Sequence, residues 1–288
     1  MNADASTPAS DLLTFYSLEL AKQNPEKVQR LDLHFKDLNV FPDSVFDFPN
    51  LQVLILWNNQ ISEIPERISE LKSLRKLDLS GNKITQLPDS ITELTELTTL
   101  VLSWNELGSL PESIGKMKAL VRLGLNNNKI EKLPASIGDL ANLEELVLSE
   151  NCLSNIPDSI GKLTKLTKLR VPGNRLTKLP DTLCKLTELV KLEAHENNLV
   201  ELPDAIGNLI NLEKLRAYKN ILTTLPDSFC ELKKLRKLLI YENEIRELPA
   251  KFGNLKALSE VDLGVNELSN LPESFSELTN IQDRKSTR

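Results

Sequence analysis

The chain has 288 residues, of which 40% are hydrophobic and 26% are charged, and its formal net charge is −6. These proportions are those of an ordinary folded protein and exclude a disordered or fibrous chain. The acidic balance disfavours nucleic acid as a partner, because proteins that bind phosphate backbones gather basic residues. The apolar runs are far shorter than the roughly 20 residues of a membrane-spanning helix, so no membrane partner is expected.

Residues 1–27 precede the regular part of the chain and are expected to cap it. Residues 1–10 are polar and lack the apolar stretch of a secretory signal. Between Asp11 and Gln23 apolar residues follow the aspartate at partly helical spacing, which predicts a capping helix. The apolar residues of this predicted helix are Leu12, Phe15, Tyr16, Leu18 and Leu20.

A period of 23 residues governs the chain from Val28 to Asn280. It predicts eleven repeats over residues 28–280, followed by a short polar tail over residues 281–288. Proline recurs at this interval at Pro42, Pro65, Pro88, Pro111, Pro134, Pro157, Pro180, Pro203, Pro226, Pro249 and Pro272. Asparagine recurs in step with it, except in the first repeat, where Lys36 takes its place.

The two halves of each repeat follow different periods. Segments such as Leu77-Asp78-Leu79 have the period of two that is typical of a strand with one buried face. The second half begins with the proline, usually followed by an acidic residue as in Pro88-Asp89, which suits the first positions of a short helix or 3₁₀ turn. A unit of this size cannot close its own core, so its leucines must pack against neighbouring repeats.

The unit L-x-x-L-x-L-x-x-N-x-L-x-x-L-P-x-x-I resembles the leucine-rich repeat. Its 23-residue form is similar to the repeats of Ras-pathway scaffolds, Scribble, Erbin, plant Ras-group-related proteins and bacterial intracellular proteins. The resemblance implies an α/β fold, a right-handed leucine-rich-repeat solenoid or horseshoe, with a parallel β-sheet on the concave face and short helices or 3₁₀ turns on the convex face.

A structural role for the recurring asparagines follows from the same resemblance. The chain turns out of the strand at this point, where buried backbone groups need partners that a side-chain amide supplies as donor and acceptor. In the family these side chains form a stacked ladder of hydrogen bonds, which is implied here for Asn59, Asn82, Asn105, Asn128, Asn151, Asn174, Asn197, Asn220, Asn243 and Asn266.

One interruption of the sheet is expected in the seventh repeat, at Pro172-Gly173. Proline cannot donate a hydrogen bond to a strand ladder, so the sheet is predicted to fray there and to divide the concave face into two halves. The alternative is that the strand simply ends before the proline.

Aromatic residues concentrate in the two positions before each asparagine, which are expected to point into the concave face. These positions hold both tryptophans, both histidines and two of the three tyrosines. Exposed aromatic residues supply much of the energy of protein interfaces, which predicts a binding surface. The alternative is that aromatic residues stack there for stability. The residues concerned are His34, Phe35, Trp57, Trp104, His195, Tyr218 and Tyr241.

The position between the two strand leucines divides the concave face by chemistry. In the first half Ile55, Val101 and Val147 offer an apolar anchor for a partner. In the second half Arg170, Glu193 and Arg216 lie on successive strands, roughly 4.8 Å apart, where they can pair with one another or bind an acidic peptide. A nearby stripe forms either a solvated rim or a surface that attracts acidic or phosphate groups. It consists of Lys168, Lys191, Lys214 and Lys237.

Catalytic or metal chemistry is not expected. His34 and His195 are seven repeats apart, roughly 34 Å at the spacing between strands, so they cannot share a metal ion. Cys184 stands in a column otherwise rich in glycine, which asks only for a small residue. No phosphate loop or zinc spacing occurs, so neither a cofactor nor an enzymatic activity is predicted.

A cytoplasmic location is expected from the cysteines and asparagines. The three cysteines, Cys152, Cys184 and Cys230, form an odd number with no disulfide pattern, and no asparagine stands in a glycosylation sequon. The predicted function is a protein–protein interaction module that binds a protein or peptide on its concave face, as a scaffold or regulator in intracellular signalling. Self-association through an uncapped C-terminal edge is also expected.

An alternative function keeps the same binding face but assigns it to a larger enzyme. In that case the chain is the recognition domain of a Roco-type GTPase or a bacterial effector ubiquitin ligase whose catalytic part is absent. The discriminating observation is whether the natural reading frame continues past Arg288.

Overall fold

The structure is a computed structural model that describes residues 12–281 and 283–285. In these residues thirteen strands form one sheet, and each strand pairs with the next along the chain. The pairing is parallel throughout, which confirms the predicted solenoid. The strands are β1 (Thr14–Phe15), β2 (Arg30–Asp32), β3 (Val53–Ile55), β4 (Lys76–Asp78), β5 (Thr99–Val101), β6 (Arg122–Gly124), β7 (Glu145–Val147), β8 (Lys168–Arg170), β9 (Lys191–Glu193), β10 (Lys214–Arg216), β11 (Lys237–Leu239), β12 (Glu260–Asp262) and β13 (Asp283–Lys285).

Equivalent residues of successive repeats stand beside one another in the sheet. Leu77 pairs with Leu54 on one side and with Leu100 on the other, a shift of one repeat in each direction. Because the repeats contain no insertion, this register holds from β2 to β12. Each repeat position therefore becomes a column of side chains that crosses the sheet.

The return legs on the convex face are 3₁₀ turns of three to five residues. The hydrophobic core lies between these turns and the sheet, where Leu77 and Leu79 have no exposed surface. The turns are η1 (Pro25–Lys27), η2 (Asp43–Asp47), η3 (Glu66–Glu70), η4 (Asp89–Glu93), η5 (Ile114–Lys116), η6 (Ala135–Asp139), η7 (Asp158–Lys162), η8 (Asp181–Lys185), η9 (Ile206–Asn208), η10 (Asp227–Glu231), η11 (Phe252–Asn254) and η12 (Glu273–Glu277).

The repeat proline stands just before the 3₁₀ turn rather than at its first position as the sequence suggested. Pro88 has φ −67° and ψ 148°, an extended conformation, and Asp89 is the first residue of η4. The reason is the hydrogen-bond pattern, since the Pro88 carbonyl accepts the first bond of the turn from the N–H of Ile91 at 3.1 Å.

The N-terminal segment differs from the long capping helix that its spacing suggested. Thr14 and Phe15 form β1, which pairs with β2, and the only α-helix of the segment's described part is α1 (Leu18–Lys22). Its N-cap is Ser17, whose hydroxyl accepts a hydrogen bond from the N–H of Leu20 at 3.2 Å. Asp11, the predicted cap, lies outside the described residues. The open sheet edge at β2 thus gains a strand instead of a helix.

The sheet is continuous at Pro172-Gly173, so the predicted fraying is wrong. Pro172 lies two residues beyond the end of β8, and its carbonyl accepts a hydrogen bond from the N–H of Glu150 at 2.8 Å. Gly173 donates to the carbonyl of His195 at 3.1 Å. The ladder at this position uses the N–H of the residue after the proline, so the missing donor breaks no ladder bond.

At the C-terminal end, the predicted polar tail adds a strand. The backbone of β13 pairs with β12, so β13 is the outermost strand that the structure describes at this end of the sheet. Self-association through this edge stays a prediction, which light scattering of the purified protein tests.

The recurring asparagines make the same set of hydrogen bonds in successive repeats. The Asn82 side chain donates to the carbonyls of Leu56 and Leu79, each at 3.0 Å, and accepts from the N–H of Ile61 at 3.0 Å. Each amide therefore joins its own turn to the preceding repeat. The pattern recurs from Asn59 to Asn266.

Candidate functional site

Three columns of side chains hold the floor and aromatic residues of the concave face, and a fourth, the first residue of each strand from Arg30 to Glu260, contains the lysine stripe. The floor column is the residue between the two strand leucines, from Asp32 to Asp262. The ring column follows two residues later, from His34 to Gly264, and the turn column is the next residue, from Phe35 to Val265. Along a strand the floor and ring columns share one face because alternate residues point the same way.

The N-terminal aromatic cluster consists of His34, Phe35 and Trp57. The His34 and Trp57 rings stack with centroids 4.9 Å apart, and Phe35 meets Trp57 edge to face at 4.6 Å. His34 is fixed further by its Nδ1 atom, which lies 2.6 Å from Oδ1 of the buried Asp32. The polar groups of this end are therefore largely satisfied within the chain.

Leu12 covers part of this end of the concave face. It forms a small apolar cluster with Val53 and Ile55, against which Trp57 packs. Ile55 is consequently only 5% exposed, so the expectation that it presents an apolar anchor to a partner is wrong. The chain uses that surface for its own N-terminal segment.

The expectation of an exposed apolar anchor is also wrong for Val147, whereas Val101 is half-buried. Val147 is 7% exposed and stands in the sheet between Gly124 and the long side chain of Arg170. The floor column is therefore too sheltered here to supply the predicted apolar anchor.

Trp104 stands apart from the other aromatic residues. It belongs to the turn column, its side chain is 64% exposed, and it makes no ring contact with a described residue. Its backbone is left-handed, with φ +57°, and Phe35 shares this conformation at φ +51° with 61% exposure. Such a conformation is unfavourable for bulky residues by about 1–2 kcal/mol. The turn column takes this conformation in every repeat, also at Glu150 and Lys219, and the Trp104 N–H donates to the Asn126 carbonyl at 2.8 Å. The repeat therefore sets the backbone, while the exposed indole adds no ring contact.

The C-terminal aromatic stack consists of His195, Tyr218 and Tyr241. The ring centroids of His195 and Tyr218 are 4.2 Å apart, and those of Tyr218 and Tyr241 are 4.4 Å apart, with nearly parallel planes. Burial lowers the pKa of His195, whose Nδ1 atom is buried without a hydrogen-bond partner. Burial also raises the pKa of Tyr218 to about 12, so its hydroxyl stays protonated at neutral pH.

Glu193 forms ion pairs with its two neighbours in the floor column, Arg170 and Arg216, as the mutual-pairing interpretation predicted. Its side chain is 7% exposed and lies 2.7 Å from Arg216 Nη1, 2.9 Å from Lys191 Nζ and 3.3 Å from Arg170 Nε. Burial raises the pKa of the Glu193 carboxyl, but the Lys191 hydrogen bond and the surrounding cations lower it by more, so it stays ionised.

The lysine stripe is divided between paired and unpaired residues. Lys191 contacts Glu193, and Lys237 contacts Glu260. Lys168 and Lys214 are exposed and make no ion pair within the described chain. The solvated-rim interpretation thus fits only part of the stripe.

The cysteines lie away from this surface and are free thiols. Burial raises the pKa of Cys184 to about 11 and raises that of Cys230, so both thiols stay protonated. Among the residues that the structure describes, no cluster of histidine, cysteine or acidic side chains could hold a metal ion. No described helix has the length and apolar character needed to cross a membrane.

Comparison with known proteins identifies the family. A family model of the leucine-rich repeat region matches residues 31–125, 120–200 and 143–240. The chain is a leucine-rich repeat protein. No curated protein sequence matches it significantly.

Solved structures of other leucine-rich repeat proteins are similar along most of the chain. The ectodomain of the Arabidopsis thaliana receptor kinase GASSHO1/SCHENGEN3, in complex with CASPARIAN STRIP INTEGRITY FACTOR 2, is 32% identical with a TM-score of 0.73. The Arabidopsis receptor kinase HAESA, in complex with the peptide hormone IDA and the co-receptor SERK1, is 28% identical with a TM-score of 0.74. The matches cover 88% and 90% of this chain but only 34% and 45% of the receptor chains.

An internalin of Listeria monocytogenes shares the fold over nearly its full length. The TM-score is 0.71 at 20% identity, and the match covers 93% of this chain and 89% of the internalin. The internalin shows the fold alone, whereas the two receptor complexes support the description of this leucine-rich repeat protein as a protein-interaction module.

Two features of the site escaped sequence reasoning. Leu12 was assigned to a capping helix, and no repeat pattern could show that it reaches Val53 and Ile55. The left-handed turn column, by contrast, left a signal, because Gly81 and Asn58 are residue types that tolerate positive φ. The residue types of this column therefore distinguish Trp104, which stands in the turn column, from Trp57, which stands in the ring column.

Proposed function

We propose that this leucine-rich repeat protein binds a protein or peptide partner on its concave face, with Trp104 as a principal anchor. The observation that carries the proposal is the exposed Trp104 indole on a left-handed backbone. The whole column shares this backbone, so what distinguishes Trp104 is a large apolar ring that is 64% exposed and makes no ring contact, which favours a role outside the fold. Large aromatic side chains on exposed surfaces are the commonest interface anchors.

Phe35 extends the anchor surface in the same column. It lies three repeats from Trp104, roughly 14 Å at the spacing between strands, and its ring is also exposed. Trp57 supports Phe35 from below through the edge-to-face contact. The similar plant receptor HAESA is known in complex with a peptide hormone, which supports a peptide or protein as the partner class.

The finer role that we propose is a cytoplasmic scaffold or regulator of signalling without enzymatic activity. The free cysteines and the lack of glycosylation sequons support a reducing compartment. The raised pKa of Cys184 argues against a thiolate nucleophile. Fractionation of cells that express the tagged protein tests the location, and recovery in a secreted or surface fraction would contradict it.

The function is tested by Trp104→Asn. Asparagine occupies the same column at Asn58 and Asn127 with φ near +55°, so the variant should fold at least as stably as the wild type. Partner capture from a lysate of the source organism, quantified by mass spectrometry, should nevertheless fall about tenfold or more. Glu150→Asn, an exposed substitution in the same column, is the matched control and should retain the partners.

The two measurements together decide the proposal. Stability unchanged or raised with partners lost supports Trp104 as an anchor. Retention of every partner by Trp104→Asn and by a second variant, Phe35→Asn, would overturn it.

A further inference from the structure

A positively charged patch lies on the concave face of strands β8 to β10. It consists of Lys168, Arg170, Lys191, Lys214 and Arg216, with Glu193 in its centre. Five cations and two carboxylates, Glu193 and the neighbouring Glu145, which lies 4.0 Å from Arg170 Nη1, leave a formal charge of +3 in a chain whose net charge is −6. The patch is therefore opposite in sign to the protein as a whole.

Glu193 does not satisfy the guanidinium groups that surround it. Two guanidinium groups carry ten N–H donors, and a carboxylate offers about four acceptor sites. The structure shows one hydrogen bond from the pair to Glu193, from Arg216 Nη1 at 2.7 Å. Arg170 Nε, although 3.3 Å from Glu193, makes no hydrogen bond, and Arg216 Nε is buried without a partner. Donors aimed at this site thus exceed the acceptors that the chain provides.

Glu193 instead holds the two arginines in position. Its buried carboxylate lies between Arg170 on β8 and Arg216 on β10, strands roughly 10 Å apart. Both arginine side chains are one third exposed, so an anion that approaches from the solvent can reach them. Because their positions are already fixed by Glu193, little side-chain entropy is lost on binding.

An aromatic surface borders the patch on one side. His195 follows Glu193 by two residues on the same face of the sheet, and its ring stacks on Tyr218. No segment of the described chain covers this end as Leu12 covers the other. Charged and apolar contact surfaces therefore stand side by side.

We propose that the patch receives an acidic segment of the partner, with two carboxylates paired to Arg170 and Arg216 above Glu193. The inference rests on the proposed function, because it takes the concave face as the binding surface and names the chemistry of its partner. Two carboxylates fit because Arg170 and Arg216 are held at opposite oxygens of Glu193. Side chains two residues apart in an extended segment lie on the same face about 7 Å apart, so each can reach a different guanidinium group. Lys168 and Lys214 attract the segment from the solvent.

The experiment uses a phage-displayed library of random dodecapeptides selected on the full chain. Selected peptides are synthesised with a fluorescent label, and their binding is measured by fluorescence anisotropy. We expect enrichment of peptides with at least two aspartate or glutamate residues. Replacement of those residues by the corresponding amides, and Arg170→Gln with Arg216→Gln in the protein, should each weaken binding about tenfold or more.

The controls distinguish an effect of the patch on peptide binding from an effect of net charge alone and from a loss of folding. Lys116→Gln with Lys185→Gln makes the same change of net charge on the convex 3₁₀ turns and should change binding less than about twofold. Lys168→Gln with Lys214→Gln removes two exposed, unpaired cations and should weaken binding about threefold with the fold intact. The urea midpoint of each variant checks folding, and the lysine pair keeps the test valid where the arginine pair fails to fold.

The outcomes distinguish this inference from the proposed function. Selected peptides that bind through Trp104 but lack acidic residues, or that bind the patch variants as tightly as the wild type, overturn the acidic segment and leave the function standing. A preference for a phosphotyrosine peptide over its diglutamate counterpart also overturns it. Loss of binding in the patch variants with retention in Trp104→Asn supports the inference and rejects Trp104 as the anchor.

Discussion

The two ends of the concave face contain the same ingredients, a histidine, a buried carboxylate and stacked aromatic rings, but join them differently. At the N-terminal end Asp32 contacts His34 at 2.6 Å, and His34 stacks on Trp57. At the C-terminal end Glu193 forms ion pairs with cations of β8 to β10, and His195 Nδ1 has no hydrogen-bond partner.

The difference teaches that the floor column is covered at the N-terminal end and uncovered at the C-terminal end, although Phe35 stays exposed beside the covered part. Leu12 covers Ile55 at the N-terminal end, and the polar groups there find partners within the chain. At the C-terminal end the cations outnumber the carboxylates, and the aromatic stack lies beside them uncovered by any described segment. Sequence position alone does not separate these ends, because His34 and His195 occupy the same column.

The largest expected effect is at Glu193. Glu193→Gln leaves Arg170, Lys191 and Arg216 without their shared anion and should lower the free energy of unfolding by about 3 kcal/mol. Asp32→Asn should cost only about 1 kcal/mol, since the amide oxygen still accepts from His34. Urea unfolding of both variants measures the difference, and an equal or larger cost at Asp32 would break the comparison.

The pH dependence of the same variant provides a second check. Surrounding cations hold the pKa of Glu193 below its ordinary value of 4.5, so its contribution is present above that pH and is lost as the pH falls further. The stability gap between the wild type and Glu193→Gln should therefore narrow in acid below about pH 4.5.

The next effect compares Trp57 with Tyr218. Trp57→Ala removes ring contacts to His34 and Phe35 and exposes the cluster beneath Leu12, which should cost about 3 kcal/mol. Tyr218→Ala removes one ring and its two stacking contacts from an open surface and should cost about 1 kcal/mol. Similar losses in urea unfolding would show that the C-terminal stack is as structural as the N-terminal cluster.

Leu12 itself gives a smaller effect that sharpens the idea of a covered end. Leu12→Ala should lower stability by about 2 kcal/mol, because it uncovers Val53 and Ile55. Leu13→Ala, at a neighbouring side chain that is 55% exposed, is the control and should cost less than about 0.5 kcal/mol. Equal costs in urea unfolding would mean that Leu12 does not cover the sheet.

The fold was predictable because its determinants recur. Leucine, asparagine and proline columns at a fixed period specify the strand, the ladder and the turn, and a repeat of this size has no way to bury its leucines except against its neighbours. The structure of the N-terminal segment was harder to predict, since Leu12 and Thr14 stand outside the 23-residue period. The helical spacing around Leu18 was real but continued for only five residues.

The binding surface was predictable by column but not by residue. The alternation of a strand placed Ile55 and Arg170 on the concave face correctly. Exposure depends on what lies above the sheet, and Leu12 reaches Ile55 through a tertiary contact. The pairing of Arg170 with Glu193 followed from the register, whereas the surplus of donors emerged only from the hydrogen bonds.

The smallest expected effect concerns His195. Because burial lowers its pKa, the fold favours neutral imidazole, and the stability of the wild type should fall as the pH drops below the ordinary histidine value of 6.5. His195→Tyr, which continues the tyrosines of the next two strands, should remove this component, worth less than about 1 kcal/mol between pH 7 and 5.5. Urea midpoints across that range measure the slope. An unchanged slope in the variant would place the titrating group elsewhere and weaken the contrast between the two histidines.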